Sequence, residues 1–388
     1  MTIVLFFIIL GALVFVHELG HFISAKKAGI RVDAFAIGFP PKIYGKKFGE
    51  TQYDLNLIPF GGYVKIFGED GDDSSSPPFQ GGDRGVVASS IPPLQKEVAH
   101  SDEPEDFNRR FTSKSRWIQA LVLVSGILGN IIFAWLLISI SFMSGIPSSV
   151  DGRYASEVQN PKLTIATVLP DSPAGKAGLK SGDVVHSLTD GTRVFSGSES
   201  EPAREFIGES KGILTIEYTR EETDYTAQVE PVRGIVAGKP AIGVSLDTIG
   251  VVRFNIFRAF YEGALTTWDI LREVTYGLLG FIKEAVMGQA DLGSISGPVG
   301  IAGLVGEARV LGFVYLLSFT AFISINLAVI NLLPIPALDG GRLLFLAIEG
   351  IIRRPIPVKF TRFVNTAGFF LLIAFMLFIT YRDIVKLF

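Results

Sequence analysis

The sequence places two histidines and a glutamate side by side within an apolar run, as His17-Glu18-Leu19-Gly20-His21. On a helix His17 and His21 are four residues apart, so both imidazoles project from one face and can bind a single divalent cation. Glu18 lies about 100° round the helix from His17. That is too far for a third ligand in the usual geometry, but close enough to take a proton from a water that the metal activates. The spacing predicts a zinc-dependent hydrolase with Glu18 as its base.

The surroundings of this motif decide between a metal site and a chance match. The same pattern occurs in soluble helices, where its side chains are solvated. A charged side chain at the centre of a bilayer costs about 2.5–3.5 kcal/mol on insertion scales, so ionisable groups in an apolar span imply a use. The metal site is therefore favoured here, because the neighbours are Leu13, Val14, Phe15, Val16, Phe22 and Ile23.

Composition agrees that this is a membrane protein. Hydrophobic residues make up 48% of the chain and charged residues only 19%, and the mean hydropathy is +0.41. The net charge of −3 gives no reason to expect a nucleic-acid partner. Cysteine is absent from the sequence. This excludes disulfides and thiolate metal sites without settling the compartment.

Four apolar stretches are long enough to cross a hydrocarbon core of about 30 Å. A cleaved signal peptide at the amino terminus is rejected, because a basic start and a small-x-small cleavage site are missing. A basic cluster follows the first stretch, so this end is expected in the cytoplasm and the amino terminus outside. The active site then lies inside the membrane, near its cytoplasmic side. The predicted spans are residues 1–25, 117–144, 311–341 and 363–380.

A third metal ligand is predicted at the end of the third stretch. Pro334 and Pro336 must break the helix there, and broken backbone at membrane depth is tolerated only where it is buried or lines a cavity. Asp339 precedes Arg342 and further basic residues, which brings it to the depth of His17 and His21. Two histidines, one carboxylate and an open position predict one Zn²⁺ per chain. A helix-end cap before a glycine turn is the alternative for Asp339.

Residues 26–116 are expected on the cytoplasmic side. Residues 53–57 and 63–67 alternate as two short strands joined by residues 59–62, which predicts a β-hairpin. It is either an ordinary surface hairpin or a strand edge near the metal that offers backbone hydrogen bonds to an extended peptide. Residues 68–107 are rich in Asp, Glu, Ser and Pro and are expected to be a flexible loop. The edge residues expected to contact substrate are Tyr63, Val64 and Lys65.

The chain becomes soluble in character after the second span. Residues 151–248 alternate short β-like runs with turns, and the run from Asp171 to Val185 resembles the signature of bacterial PDZ domains. In that family Ser-Pro-Ala opens a short helix and Gly-Leu-x-x-Gly-Asp-x-Val leads into a strand. PDZ domains bind peptide ends or strands by β-augmentation. Residues 254–287 have apolar positions at helical spacing and predict one or two amphipathic helices on the membrane surface.

Together these motifs resemble the site-2 protease family of intramembrane zinc metalloproteases, most nearly its bacterial RseP type. The likeness covers nearly the whole chain and includes Ser-Gly-Pro-Val-Gly-Ile-Ala at 296–302 and Asn-x-x-Pro-x-Pro-x-Leu-Asp-Gly-Gly at 331–341. It implies an α-helical polytopic membrane protein with about four transmembrane helices, a membrane-associated β-hairpin and one inserted extracytoplasmic PDZ domain of mixed α/β structure.

The resemblance also implies roles for particular residues. Zinc would be held by His17, His21 and Asp339 with Glu18 as base, and the hairpin at 53–67 resembles the family's membrane-reentrant β-loop. Two departures from the family pattern stand out. There is one PDZ-like segment where the RseP type has two, and Gly-Ile replaces Gly-Pro at 126–127 in the second span. The family's asparagines that are thought to steady the substrate or the transition state fall on Asn326 and Asn331.

The predicted function is cleavage of the transmembrane segments of single-span membrane proteins, such as anti-sigma factors or signal-peptide remnants. The expected location is a bacterial cytoplasmic membrane, with a plastid membrane as the alternative. Two other classes stay open. A non-catalytic PDZ-bearing membrane adaptor gives no reason for the metal-site residues to share one depth. A metal transporter would need ionisable groups continuing across the membrane, and the fourth span contains none.

Overall fold

The computed structural model describes residues 1–69, 107–210, 212–220, 222–236, 239–291, 293 and 295–386. The predicted flexible loop at 68–107 falls, apart from its end residues, outside the described residues. The chain divides into two compact units. Unit 1 comprises Met1–Leu136, Leu265–Gly306 and Phe319–Phe388, and unit 2 comprises Leu137–Ala264 and Glu307–Ser318.

Nine α-helices run along the described part of the chain. They are α1 (Thr2–Lys27), α2 (Arg116–Ser144), α3 (Pro173–Lys176), α4 (Ser200–Glu209), α5 (Ile256–Val286), α6 (Pro298–Leu311), α7 (Phe313–Leu332), α8 (Asp339–Ile352) and α9 (Val358–Val385). In length and composition four of them, α1, α2, α7 and α9, are able to cross a membrane. Their number agrees with the prediction of about four transmembrane helices.

The structure corrects the limits of the last two spans. The third was predicted to continue to residue 341, but α7 ends at Leu332 because the two prolines interrupt the helix, and α8 begins only at Asp339. The fourth was predicted over 363–380, whereas α9 extends further at both ends. Asp383 is accommodated in that extension because its carboxylate accepts a hydrogen bond from the Gly300 N–H at 2.8 Å.

Two further helices, α5 and α6, lie between the second and third spans. The segment predicted as one or two amphipathic helices at 254–287 forms the single helix α5. The motif at 296–302 leads into α6, which begins at Pro298. Proline at a first helical position is favourable, since its missing N–H would have no partner within the helix in any case.

Glycines bring α1 and α2 close together. A Cβ on Gly20 would lie 2.2 Å from the carbonyl oxygen of Ser125, and one on Gly129 would lie 2.9 Å from that of Val16. Larger residues at these positions would therefore force the helices apart. This close contact fixes the His17–His21 face of α1 against α2.

A small sheet in unit 1 is built from two long strands, β1 (Val32–Phe48) and β2 (Thr51–Ile66). Residues 32–37 lie between residues 62–66 on one side and 52–55 on the other, and residues 42–48 pair with 51–56. The predicted pairing of 53–57 with 63–67 is wrong, since both runs, apart from Phe67, belong to β2 and pair with β1. Inserting residues 32–37 between them buries Val32, Phe35 and Ala36, which are at most 5% exposed, and a direct hairpin would not do so.

Unit 2 has the mixed α/β structure that the sequence predicts. Nine further strands follow the first two, and seven of the strands form one sheet in the order β3-β11-β4-β5-β7-β8, with β6 paired to β5. Their bounds are β3 (Ile146–Ser149), β4 (Gln159–Val168), β5 (Val184–Thr189), β6 (Val194–Phe195), β7 (Leu214–Arg220), β8 (Thr223–Val229), β9 (Val232–Val236), β10 (Lys239–Ala241) and β11 (Val244–Val252).

The motif at 171–185 has the local structure expected for it. Ser172 is the N-cap of α3 and its hydroxyl accepts a hydrogen bond from the Gly175 N–H at 3.2 Å. The strand β5 begins at Val184, directly after the buried Asp183. A core of buried apolar residues, including Leu163, Leu188 and Ile216, supports the sheet.

Candidate metal centre

Three predicted metal ligands meet in unit 1. The Nε2 atoms of His17 and His21 lie 3.2 Å apart. Oδ2 of Asp339 is 3.0 Å from Nε2 of His17 and 3.2 Å from Nε2 of His21. Both histidines are buried, at 8% and 7% exposure. The structure thus brings together two ligands from one turn of α1 and one from the start of α8, more than 300 residues later in the chain.

The arrangement of these atoms fits a zinc ion. Ligand atoms about 2.0–2.1 Å from a tetrahedral zinc are separated from one another by roughly 3.3 Å, close to the observed 3.0–3.2 Å. Oδ2 of Asp339 is buried and has no hydrogen-bond partner among the described residues, although two imidazole nitrogens face it. A buried carboxylate oxygen without a hydrogen bond is destabilising, and a bound cation would offset that cost.

The helix α2 supports the two histidines from behind. Nδ1 of His21 donates a hydrogen bond to the carbonyl oxygen of Val122 at 2.8 Å. Because a carbonyl only accepts, the proton of His21 is on Nδ1 and its Nε2 lone pair faces Asp339. Nδ1 of His17 lies 3.3 Å from Nδ2 of Asn130. A Cβ on Gly126 would lie 2.3 Å from Nε2 of His21, so glycine is required for this ring to fit.

Asp339 is positioned by the break between α7 and α8. The segment between the helices folds back on the start of α8, and a Cβ on Gly340 would lie 2.1 Å from the carbonyl oxygen of Leu333. Gly341 is equally confined, with its missing Cβ 2.3 Å from the carbonyl oxygen of Ile335. The two glycines after Asp339 are therefore needed for this turn, and the turn holds Asp339 as the first residue of α8.

A cavity of about 240 Å³ opens beside the three ligands. Glu18 lines it, as do Gly62, Tyr63 and Val64 of the sheet. A Cβ on Gly62 would lie 3.2 Å from Cγ of Glu18 and 2.8 Å from the carbonyl oxygen of Ala36. Glycine at 62 therefore lets the strand approach the predicted base. Burial raises the pKa of the Tyr63 phenol, which keeps it protonated and able to donate a hydrogen bond.

Three further predicted site residues do not line this cavity. The amide of Asn326 donates a hydrogen bond to the Phe322 carbonyl of its own helix at 2.8 Å. Asn331 is half-buried, one residue before the end of α7, and Lys65 is exposed. The cavity lining described here includes none of the three.

Several residues at the cavity were not singled out from the sequence. Glu69, at the end of the sheet, forms an ion pair with Arg342 in the first turn of α8, and both line the cavity. Outside the cavity lining, the side chain of Asn130 and the backbone carbonyl of Val122 contact the two histidines and were not predicted either. Arg342 directly follows the Asp-Gly-Gly run, which was the one available signal. The other contacts join distant segments and leave no mark in residue spacing.

Comparison with known proteins shows that the whole chain is similar to zinc metalloproteases. The profile of peptidase family M50 matches residues 5–375. The regulator of sigma-W protease RasP of Bacillus subtilis is 31% identical, over 100% of this chain and 99% of the relative. The zinc metalloprotease RasP of Geobacillus kaustophilus is also 31% identical, over 100% of this chain and 98% of the relative.

A solved structure also matches part of the chain. The PDZ domain of an SdrC-like protein from Listeria monocytogenes is 24% identical over 23% of this chain and 90% of that chain, with a TM-score of 0.20. A score this low does not establish a shared fold.

Proposed function

Since the chain belongs to peptidase family M50 and is a zinc metalloendopeptidase of the site-2 protease type, we propose that its active site is the cavity beside His17, His21 and Asp339. One observation carries this proposal. Three side chains with zinc-ligand chemistry converge to within 3.0–3.2 Å at the wall of a cavity that also contains Glu18. A chance cluster of ionisable groups would have no reason to form between apolar helices.

In this proposal the three ligands are His17, His21 and Asp339, and Glu18 moves the proton. Bound zinc supplies a Lewis acid that polarises the scissile carbonyl and lowers the pKa of water. Glu18 accepts a proton from the attacking water as the new C–O bond forms, then returns a proton to the amide nitrogen as the C–N bond breaks. The Glu18 carboxylate thus accepts one proton and gives one up, so it is unchanged at the end of the reaction.

The strand segment 62–66 is proposed to hold the substrate. It pairs with residues 32–37, and in the described part of the chain no strand pairs with its other edge. A transmembrane helix hides its carbonyls in internal hydrogen bonds, so a substrate must unwind before attack. An open strand edge beside Glu18 offers replacement hydrogen bonds to the extended segment. Single-span membrane proteins are therefore the proposed substrates.

The membrane orientation is proposed from charge. The chain is a multi-pass membrane protein with four helices able to span. Lys26 and Lys27 end α1 and further basic residues follow, which supports a cytoplasmic position for this end. The amino terminus and unit 2 would then be extracytoplasmic in a bacterial inner membrane. Because RasP of Bacillus subtilis is named as the regulator of sigma-W, anti-sigma factors are the substrate class proposed here.

Residues 151–248 of unit 2 are proposed to be a PDZ domain that binds peptide ends or strands. The support is the motif at 171–185, which forms the short capped helix α3 and then enters β5. The strand β11 provides an edge for such a ligand, since β3 pairs only with its second half, residues 249–252. A domain of this kind outside the membrane is suited to select substrates rather than to perform chemistry.

The test compares the purified wild-type chain with Glu18→Gln in liposomes. A tagged single-span protein with a trimmed ectodomain is the substrate, and bound zinc is measured by mass spectrometry. Both proteins should hold one zinc, and the variant should cut more slowly by about 10²–10⁴-fold, the usual contribution of a general base. Glu50→Gln is the matched control, because Glu50 pairs with Lys26 and Arg109 outside the cavity lining.

The outcomes separate the competing functions. If Glu18→Gln cuts as fast as wild type, Glu18 is not the base. If both proteins hold zinc and neither cuts any of several single-span substrates, a membrane adaptor or a metal transporter becomes the better description. If Glu50→Gln loses activity as well, the loss in Glu18→Gln does not report on the cavity.

A further inference from the structure

Asn130 occupies an unusual position in α2. Its side chain is completely buried, with an exposure of 0%. Its Nδ2 lies 3.3 Å from Nδ1 of His17, while its Oδ1 is buried and has no hydrogen-bond partner in the described part of the chain. Its backbone carbonyl accepts a hydrogen bond from the Ser324 hydroxyl of α7 at 2.8 Å. A primary amide is thus held at membrane depth against one of the candidate zinc ligands.

The chemistry of His17 decides which end of this amide faces it. For Nε2 of His17 to act as a ligand beside Asp339, the ring proton must be on Nδ1, where it is a donor. An amide Nδ2 is also a donor, so two donors would face each other at 3.3 Å. The oxygen and nitrogen of an amide are nearly the same size, so turning the group by 180° keeps its packing. The turn also satisfies the otherwise orphaned Oδ1.

We propose that Asn130 is a positioning residue for His17: its Oδ1 accepts a hydrogen bond from Nδ1–H of His17 and fixes the ring with Nε2 toward the metal. The inference rests on the proposed zinc site. His21 receives the equivalent support from a backbone carbonyl, that of Val122. Of the two supports, the one from Asn130 is therefore the one that a substitution can remove.

The low polarity of the surroundings makes this hydrogen bond important. A buried N–H without a partner costs about 1–3 kcal/mol, and water is scarce between apolar helices. Without an acceptor at position 130, His17 would gain by moving its proton to Nε2, where it could donate to Asp339, and the ring would no longer offer a lone pair to zinc. Loss of an outer partner of a metal-binding histidine typically lowers metal affinity about 10–100-fold.

The experiment measures zinc affinity of the full-length protein by competition with a chelator, together with the visible spectrum of the Co²⁺-loaded form. Asn130→Leu keeps the volume and removes the acceptor. Asn130→Asp keeps the acceptor. Ser324→Ala removes the contact between α2 and α7 but leaves the side chain of Asn130 intact. We expect a 10–100-fold weaker zinc affinity and an altered Co²⁺ spectrum for the leucine variant alone.

Two results would overturn the inference. One is wild-type zinc affinity and an unchanged Co²⁺ spectrum in Asn130→Leu. The other is an aspartate variant that folds but loses zinc as the leucine variant does, because the acceptor would then be irrelevant. Failure of the proposed function looks different: wild type itself would hold no zinc, or would lose none of it when His17 is replaced by alanine. If Asn130→Leu does not fold, loss of zinc from a folded Asn130→Asp variant still overturns the inference.

Discussion

Asp183 in unit 2 and Asp339 in unit 1 each have a carboxylate oxygen buried in the chain, and the two carboxylates differ in their hydrogen bonds. In unit 2, Asp183 accepts hydrogen bonds from Nε and Nη2 of Arg220, both at 2.7 Å, and from the Lys180 N–H at 2.8 Å. In unit 1, Oδ2 of Asp339 has two imidazole nitrogens nearby but no hydrogen bond within the part of the chain that the structure describes. The first carboxylate is complete within the chain, and the second is not.

This difference separates structural burial from functional burial. Hydrogen bonds to Asp183 raise the pKa of the Arg220 guanidinium, and this contact links the start of β5 to the end of β7. A complete pair of this kind has no capacity left for a ligand. Asp339, in contrast, lines the cavity and has a buried oxygen without a hydrogen bond among the described residues. Burying a charged oxygen in this way destabilises the folded chain. The carboxylate oxygen without a partner is therefore the one expected to bind a ligand.

The largest effect is expected from Asp339→Ala. Zinc affinity should fall by more than the roughly 10–100-fold that is typical for outer partners of a metal ligand, and cleavage should drop to background. The metal-free variant should nevertheless unfold at the same temperature as metal-free wild type or higher, because an unsatisfied buried carboxylate has been removed. Zinc titration and thermal unfolding in detergent measure the two effects. A clear drop in the metal-free unfolding temperature would show that Asp339 is structural, as Asp183 is.

The second effect is on stability rather than activity. Asp183→Ala leaves Arg220 without its partner, and we expect unit 2 to lose about 3 kcal/mol. Amide exchange in β5 and β7 should accelerate by about two orders of magnitude while zinc content stays unchanged. Glu209→Ala is the control, because Glu209 pairs with Arg193 at 2.9 Å but its side chain is 68% exposed. That variant should exchange like wild type, and equal effects from both variants would remove the basis for the comparison.

The sequence predicted the three candidate metal ligands, which the structure brings together, but not the residues that support them, and the reason is physical. His17 and His21 lie in one short sequence motif and Asp339 lies in another. The predicted depth of each motif in the membrane indicated that the two motifs lie close together. No short motif indicates which strands pair with each other. The sequence therefore predicts a direct hairpin and does not predict that residues 32–37 lie between its two runs. In the same way, Asn130 reaches His17 only because glycines bring two helices together.

The third effect concerns the strand edge. In an antiparallel edge strand, consecutive N–H groups point to opposite sides. One of Tyr63 and Val64 therefore donates into the sheet and the other toward the cavity. Proline at the outward position should slow cleavage by about 2–10-fold for each substrate hydrogen bond lost, with zinc content intact. Proline at the inward position should instead disrupt pairing with residues 32–37.

Alanine at each of these positions is the control, since it keeps the N–H and removes the side chain. Cleavage rates, zinc content and circular dichroism distinguish the cases. If both proline variants cut at the wild-type rate with the sheet intact, the substrate does not pair with this edge. If the alanine variants are as slow as the proline variants, side-chain contacts matter rather than the backbone.

The smallest effect is expected at the edge of β11 in unit 2. A side chain covers part of this edge, whereas no described strand pairs with the outer edge of segment 62–66 in unit 1. Nη2 of Arg204 in α4 donates a hydrogen bond to the carbonyl oxygen of Leu246 at 2.5 Å. Leu246 lies in the half of β11 that β3 does not pair with. A peptide added to this edge must displace the Arg204 guanidinium from that oxygen. Arg204→Ala should therefore tighten peptide binding by up to about fivefold, the equivalent of roughly 1 kcal/mol.

Arg193→Ala is the matched control, because Arg193 is a half-exposed arginine of the same unit that pairs with Asp190 and Glu209 instead of β11. Fluorescence anisotropy with a labelled peptide bearing a free carboxyl terminus gives the affinities. Weaker binding in Arg204→Ala would mean that the guanidinium contacts the bound peptide. Arg204 would then help to bind the peptide and would not compete with it for this edge. Equal affinity in all three proteins would mean that peptides do not use the edge at Leu246, and unit 2 would then select substrates by another surface.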